Sequence, residues 1–225
     1  MAVDAVTLAP GLRLGDGVAW LEGQPDDSLN GVFTDPPWGA GPDIAGQRQW
    51  VGLIVRVLVA CERVVKPTGN ILVWYGQACL EDIFRRVLPA TELHLNAILT
   101  VDYIPKRFIA SYATSDYVLV LSRTRWAPPR GNSCAFQVYV AHSKGQRDST
   151  HPCYRPPQVV GQILRDWFAP GDGICDPFAG SDTTGVQAER LGMRCFSFEI
   201  DLVHLEAAQR RHAQLDLFVS EREGP

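Results

Sequence analysis

The sequence predicts an α/β protein built on a doubly wound parallel sheet. Runs of β-prone residues alternate with segments that carry a helical apolar stripe along most of the 225 residues, an order typical of parallel sheets covered on both faces. Two of these runs stop abruptly, one at Asp35-Pro36-Pro37-Trp38 and the other, Ile174–Asp176, at a glycine-containing loop. Because ligands of such sheets bind beyond the carboxyl ends of the strands, these two strand ends are the candidate functional segments.

The individual elements follow from periodicity and from turn residues. Apolar residues recur at helical spacing after residue 47, and prolines end the strand before Pro36 and the helix before Pro89. Gly192 predicts a left-handed C-terminal cap on the helix that precedes it. In chain order the prediction is strand Val32–Thr34, helix Gln47–Val64, turn Lys66–Asn70, strand Ile71–Tyr75, helix Leu80–Leu88, strands Leu95–Val101, Tyr117–Ser122 and Phe136–Val140, helix Pro157–Phe168, strand Ile174–Asp176, helix Thr184–Leu191, strand Arg194–Glu199 and helix Leu202–Leu215.

Length and composition favour one compact domain spanning residues 1–225. A hydrophobic share of 46% is enough for a real core, and no apolar run is long enough to cross a membrane. No repeat, low-complexity tract or secretory leader is apparent. The six cysteines are scattered and form no C-x-x-C pair, so we expect reduced thiols that are mostly buried, no metal site and a cytoplasmic protein.

The net charge of −4 is unevenly distributed along the chain. Residues 103–165 contain nine Lys and Arg against two Asp, a net +7, whereas the rest of the chain carries 12 against 23, a net −11. A basic segment in an acidic protein suggests a surface that faces a polyanion, and a solvated loop of chance asymmetry is the equal alternative. Within this segment, residues 123–150 are rich in Arg, Pro, Gly and Ser and are predicted to form a short insertion.

The segment from Asp176 to Gly185 has the pattern of a nucleotide-like cofactor site. Gly180 permits close backbone approach to a ligand, and Thr183 and Thr184 can cap the following helix, whose first N–H groups favour an anion. The next strand ends at Glu199, where doubly wound folds hold a ribose diol. Neither the dinucleotide pattern G-x-G-x-x-G nor a phosphate-binding Gly-Lys-Ser/Thr is present. The alternative is a capped turn followed by a surface acid.

The other candidate segment joins a carboxylate, a carbonyl and an aromatic ring at one strand end. The exocyclic amine of a nucleic-acid base is a poor nucleophile, because its lone pair is delocalised into the ring. Acceptors at the Asp35 carboxylate and the Pro36 carbonyl would draw the nitrogen towards tetrahedral geometry, and Pro36 and Pro37 would keep those acceptors fixed. Trp38 would stack on a base flipped out of its helix. The alternative is a proline-terminated strand with a Trp in the core.

Together the two segments resemble the amino-group DNA methyltransferases that modify adenine N6 or cytosine N4. That family has an Asp/Asn/Ser-Pro-Pro-aromatic motif at the catalytic strand and a Phe-x-Gly-x-Gly loop for S-adenosylmethionine, and here the catalytic motif comes first, as in the circularly permuted "beta" order. The basic insertion, residues 123–150, lies where that order places target recognition. The matching segments are Leu14-Gly15-Asp16, Pro25–Ser28, Asp35–Trp38, His151-Pro152-Cys153-Tyr154-Arg155-Pro156, Asp176–Gly185 and Glu199-Ile200-Asp201.

The resemblance implies a seven-stranded, Rossmann-like sheet that binds S-adenosyl-L-methionine. Asp35 and Pro36 would hold the target amine, Gly180 would approach the methionine part and Glu199 would bind the ribose. The residues that the resemblance places at the cofactor are Asp16, Asp35, Arg155, Asp176, Phe178, Ala179, Gly180, Ser181, Asp182, Thr183, Thr184 and Glu199. Two of them depart from the family pattern.

The first departure is Asp182, which stands where the family has the last glycine of its loop. Asp tolerates the left-handed backbone conformation, but its charge would either contact the ammonium of the cofactor or weaken cofactor binding. The second departure is Arg155, which replaces the usual Lys. An anion contact survives this exchange with different geometry.

The resemblance leaves several functions open. The leading prediction is methylation of adenine N6 in DNA, since Asp precedes Pro-Pro and Trp follows it, and cytosine N4 is the nearest alternative. A third hypothesis, motivated by Asp182, is a DNA-binding relative without catalytic activity. An oxidoreductase is disfavoured because the G-x-G-x-x-G pattern is missing. An RNA base as substrate and a homodimer both remain compatible with the sequence.

Overall fold

The computed structural model describes residues 10–37, 44–104, 115–125, 138–142 and 155–210. The strands are β1 (Gly11–Leu14), β2 (Leu29–Thr34), β3 (Val65–Gly76), β4 (His94–Ile104), β5 (Ser115–Ser122), β6 (Val138–His142), β7 (Gly173–Asp176) and β8 (Arg194–Glu199). The helices are α1 (Gly17–Glu22), α2 (Ile44–Val64), α3 (Leu80–Asp82), α4 (Pro157–Trp167), α5 (Thr183–Arg190) and α6 (residues 202–210).

The described strands form one sheet in the order β1-β8-β7-β2-β3-β5-β4-β6. Every neighbouring pair is parallel except the two that involve β5, which runs antiparallel to β3 and to β4. The predicted α/β class with a mainly parallel, doubly wound sheet is therefore confirmed. The sheet has eight strands, one more than the seven that the resemblance implies.

The sheet is buried on both faces, as a doubly wound fold requires. Along β3, Ile71, Val73 and Tyr75 belong to the apolar cluster beneath α1 and α2. Their alternating neighbours Leu72 and Trp74 belong to the opposite cluster, which includes residues of α4. This period of two is the side-chain alternation of a strand, and it explains why the central strands read as continuous apolar runs.

The chain forms two of the predicted elements differently. Residues 66–70, predicted as a turn, lie within β3, but the pairing with β2 jumps from Leu29–Val65 to Gly31–Asn70, so the residues between leave the ladder. The predicted helix Leu80–Leu88 is not one regular helix. A 3₁₀ turn precedes α3, a π turn at Ile83–Val87 follows α3, and a second 3₁₀ turn comes last. Pro89 has no N–H for an α-helical ladder, which accounts for the irregular end.

The remaining elements follow the prediction within a few residues over the part of the chain that the structure describes, and the end of the predicted helix Leu202–Leu215 and the start of the predicted strand Phe136–Val140 lie outside it. Gly192 has a φ of +73°, as the predicted C-terminal cap requires. Four cysteines are free and buried, and Cys134 and Cys153 lie outside the described residues. Among the described helices, none combines the length and apolar character that a membrane crossing demands.

Gly31→Ala tests the packing of the strand that leads to the site. A Cβ at residue 31 would lie 2.3 Å from Phe168 and 2.4 Å from the Asn70 carbonyl, so we expect this substitution to lower the free energy of unfolding by about 1–3 kcal/mol. Gly52→Ala is the matched control, because a Cβ there meets no atom within 4 Å and removing a helical glycine should raise stability by about 0.5–1 kcal/mol. Urea unfolding measures both, and equal effects of the two substitutions would contradict this packing.

Candidate functional site

A cavity of about 550 Å³ opens at the carboxyl ends of β1, β2, β7 and β8. Parallel neighbours bring these ends together, because β2 pairs with β7 and β7 pairs with β8. The Thr34 hydroxyl donates a 2.9 Å hydrogen bond to Asp176 Oδ1 and so joins the end of β2 to the end of β7. The acid-proline turn (residues 35–37) and the glycine loop (residues 176–184) therefore border one cavity.

Most of the predicted site residues line this cavity. Trp38 lies outside the described residues, and Asp182 is described but is not among the lining residues. The predicted residues that do line it are Asp16, Asp35, Pro36, Pro37, Arg155, Asp176, Phe178, Ala179, Gly180, Ser181, Thr183, Thr184 and Glu199.

Asp176 is a buried carboxyl group at the base of the cavity. Its Oδ1 accepts hydrogen bonds from the Thr34 hydroxyl at 2.9 Å and from the Phe178 backbone N–H at 3.1 Å. Burial raises the pKa of Asp176 to about 6, although these hydrogen bonds and one from Thr184 act in the opposite direction. Asp176 thus fixes the start of the glycine loop.

Glu199 connects the glycine loop to the end of β8. Its Oε2 accepts the Gly180 backbone N–H at 2.9 Å, and its Oε1 accepts that of Asp201 at 2.8 Å. Gly180 has a φ of +51°, a left-handed conformation that strains a residue with a Cβ. Each carboxylate oxygen can accept a further hydrogen bond, so Glu199 is suited to a pair of ligand hydroxyls.

Asp16 also lines the cavity and caps α1. Its Oδ1 accepts hydrogen bonds from Val18 N at 2.9 Å and Ala19 N at 3.1 Å. At the next residue, a Cβ on Gly17 would lie 2.5 Å from the Pro177 backbone. Only glycine allows the loop after β1 to pack this closely on the loop after β7, which closes one side of the cavity.

Asp182 faces the interior of the protein. It has a φ of +54°, it is only 2% exposed, and its Oδ1 accepts a hydrogen bond from Gly185 N at 3.2 Å as the N-cap of α5. Burial raises the pKa of Asp182 to about 7, while hydrogen bonding to Ser197 lowers it and Asp176 raises it further. The side chain is therefore a helix cap beneath the loop, which differs from the expected contact to an ammonium in the cavity.

Arg155 makes its ionic contacts with two acids of the chain itself. Its Nε and Nη2 donate to the two carboxylate oxygens of Asp35 at 2.7 and 3.0 Å, and Nη1 donates to Asp116 Oδ2 at 2.7 Å. Its guanidinium carbon lies 5.0 Å from the centroid of the Trp74 ring. Burial lowers the pKa of Arg155, but the charges of Asp35 and Asp116 outweigh burial and leave this pKa above its ordinary value.

Two cations of the basic segment, residues 103–165, form ion pairs within the chain. Four of its nine cationic residues are described. Of these, Arg155 is paired as above, and Arg123 forms an ion pair with Asp27 and donates to the Val65 carbonyl at 3.2 Å. The predicted recognition segment, residues 123–150, is described only at residues 123–125 and in β6.

Sequence reasoning assigned no role to several residues that line the cavity, among them Trp74, Ile200 and His204. Trp74 lies near the carboxyl end of β3, which runs parallel to β2 with Val73 opposite Thr34. Ile200 follows Glu199 and is 74% exposed. Trp74 could have been identified only from the strand order, which the sequence does not show. For Ile200 the sequence did hold a signal, because an apolar residue directly follows the acid at the end of a strand.

Comparisons with known proteins show which families and folds the chain is similar to. A family model described as DNA methylase, for N6 and N4 methyltransferases, matches residues 120–210. The curated DNA adenine methyltransferase YhdJ of Escherichia coli (strain K12) is 24% identical over 249 residues, which cover 88% of this chain and 80% of that protein.

Two solved structures share the fold. The PvuII DNA methyltransferase, which is cytosine-N4-specific, matches with a TM-score of 0.72 at 21% identity over 91% of this chain and 86% of its own. A proposed DNA modification methylase from Thermus thermophilus, complexed with S-adenosyl-L-methionine, matches with a TM-score of 0.72 at 18% identity over 92% and 94% of the two chains.

Asp182→Asn tests the titration of the buried cap. The variant keeps an oxygen acceptor and tolerates a left-handed backbone. The pKa of Asp182 rises from an ordinary 3.8 to about 7 in the folded state, so between these values the folded chain holds a proton that the unfolded chain releases. Wild-type stability should therefore fall as pH rises, by at most about 1.4 kcal/mol per pH unit.

Because Asn does not titrate, the stability of the variant relative to the wild type should increase from pH 5 to pH 7 and level off above it. Urea unfolding at several pH values measures this difference. A difference that does not change with pH would show that Asp182 titrates normally.

Proposed function

We propose that this chain, which belongs to the family of amino-group DNA methyltransferases, transfers a methyl group from S-adenosyl-L-methionine to N6 of adenine in DNA. One observation carries the proposal. The acid-proline turn and the glycine loop, more than 130 residues apart in the sequence, border one cavity and are joined by the bond from Thr34 to Asp176. A methyl donor held by one loop would therefore lie within reach of an amine held by the other.

The residues of the cavity fit S-adenosyl-L-methionine. A volume of about 550 Å³ lies in the range of sites that enclose a small organic ligand. Glu199 offers acceptor capacity to the ribose hydroxyls, the left-handed Gly180 permits close approach of the methionine part, and Asp16 would lie near the adenine, as the resemblance implies. This fit rests on the chemistry of the residues and agrees with the cofactor named for the Thermus thermophilus structure.

The acid-proline turn would activate the target amine. Bound S-adenosyl-L-methionine supplies an electrophilic methyl group on sulfur. The Asp35 carboxylate and the Pro36 carbonyl would accept the two amine hydrogens, which would free the nitrogen lone pair for attack on the methyl carbon. The methyl–sulfur bond would break as the methyl–nitrogen bond forms, with its electron pair left on sulfur, and one amine proton would leave along its hydrogen bond to Asp35. Arg155 donates one hydrogen bond to each Asp35 oxygen. The positive charge that develops on nitrogen then lies next to the Asp35 carboxylate.

Adenine is favoured by the Asp before Pro-Pro and by YhdJ, which is a DNA adenine methyltransferase. The second candidate is cytosine N4, since the PvuII enzyme of the same fold is cytosine-N4-specific. Both substrates present the same amine chemistry to Asp35 and Pro36, so the surroundings of the flipped base must separate them.

Labelled cofactor distinguishes these substrates directly. We expect methyl incorporation into duplexes that contain adenine, with the label recovered as N6-methyladenine after digestion, and little into duplexes whose only amino bases are cytosine and guanine. Label in N4-methylcytosine would overturn the adenine assignment and keep the reaction class. Label in RNA alone would overturn DNA as the substrate.

Asp35→Ala tests the assignment of the acceptor. Removing the carboxylate should reduce turnover to background because one amine hydrogen loses its acceptor, while binding of S-adenosyl-L-methionine, measured by calorimetry, should be largely kept. Glu199→Gln is the contrasting variant, since it should weaken cofactor binding first. Unchanged turnover in Asp35→Ala would remove Asp35 from the mechanism, and no cofactor binding by the wild type would favour a silent relative.

A further inference from the structure

We infer that Arg155 is a positioning residue that holds the Asp35 carboxylate in the orientation required by the target amine, and that Asp116 in turn holds Arg155. The inference rests on the proposed function. It concerns Arg155 and Asp116. The sequence analysis predicted Arg155 as a residue that contacts the cofactor, and it assigned no role to Asp116.

Arg155 fixes the orientation of the Asp35 carboxylate by contacting both of its oxygens. A guanidinium that donates from Nε and Nη2 to both oxygens, at 2.7 and 3.0 Å, prevents rotation of the carboxylate about its terminal bond. The side chains are only 18% and 22% exposed, so water competes weakly for these hydrogen bonds. An acceptor held in this way needs little rearrangement when an amine arrives.

Arg155 is itself held by the sheet. Its Nη1 donates to Asp116 Oδ2 on β5 at 2.7 Å, and the same oxygen accepts the Trp74 indole N–H at 3.1 Å and the Tyr103 hydroxyl at 2.8 Å. These partners belong to β3 and β4, the strands on either side of β5. A continuous set of hydrogen bonds thus runs from the rigid sheet through Asp116 and Arg155 to Asp35.

Asp116 also balances the charge of the cluster. Arg155 alone would neutralise Asp35 and would oppose the positive charge that develops on the attacking nitrogen. With Asp116 present, two carboxylates share one guanidinium, so the cluster keeps a net charge of −1 beside the amine. The geometry therefore combines a fixed acceptor with a favourable local charge, which neither acid could supply alone.

Single-turnover methyl transfer at saturating S-adenosyl-L-methionine and DNA tests this role. We expect Arg155→Gln to lower the rate constant about 100-fold, the cost of a misplaced reacting group, with the cofactor dissociation constant changed less than about threefold. Arg155→Lys keeps the charge but loses the planar pair of N–H donors that contacts both Asp35 oxygens. It should therefore recover part of the rate and remain about tenfold below the wild type. Arg85→Gln, which removes the same charge from a side chain that is 76% exposed and lies outside the basic segment, should behave as the wild type.

Thermal melting establishes that each variant is folded, and Arg155→Lys keeps the test decisive if Arg155→Gln unfolds. Wild-type rates in both Arg155 variants would overturn the positioning role and leave the methyltransferase proposal intact. Loss of cofactor binding in parallel with the rate would also overturn it, in favour of a direct cofactor contact. Absence of transfer by the wild type to any nucleic acid would overturn the proposed function, and the positioning role with it.

Discussion

The hydrogen bond from Thr34 to Asp176 is the interaction on which the rest of the site depends. Both residues are almost fully buried, at 1% and 3% exposed, and a buried carboxyl group is costly unless hydrogen bonds satisfy it. Thr34 can meet this need only while β2 and β7 remain paired in their observed register. The same pairing that stabilises the sheet thus fixes the separation between the acid-proline turn and the glycine loop.

The glycine loop owes its shape to acids as much as to glycine. Asp176 accepts the Phe178 N–H, Glu199 accepts the Gly180 N–H, and Asp182 accepts the Gly185 N–H. Each bond satisfies a backbone donor that the turn leaves unpaired. This explains how Asp182 can occupy a left-handed position where the family pattern has glycine: its carboxyl group caps α5 and offsets part of the backbone strain.

Local patterns predicted the strand ends, the loop and Glu199, because proline, glycine and period-two alternation act over a few residues. They did not predict which anions Arg155 contacts, since Asp35 and Asp116 lie 120 and 39 residues away and only the strand order brings them together. The sequence also could not show whether the Asp182 side chain caps α5 or contacts a ligand, because both roles suit the same residue type. The short β1 and α1 escaped prediction because four and six residues carry too little periodicity.

Arg155 stands where the family pattern has Lys, and the geometry of its guanidinium suits the presence of Asp116. A lysine ammonium is a point charge, which could face one carboxylate closely, whereas a guanidinium has five N–H donors in a fixed plane. Arg155 uses three of them on two acids, and its flat face lies over Trp74. Removing Asp116 would leave a neutral pair of Arg155 and Asp35 and take away the acceptor of Nη1, and removing Arg155 would leave two acids without their shared cation. Each of the two residues therefore compensates the charge of the other in this partly buried position.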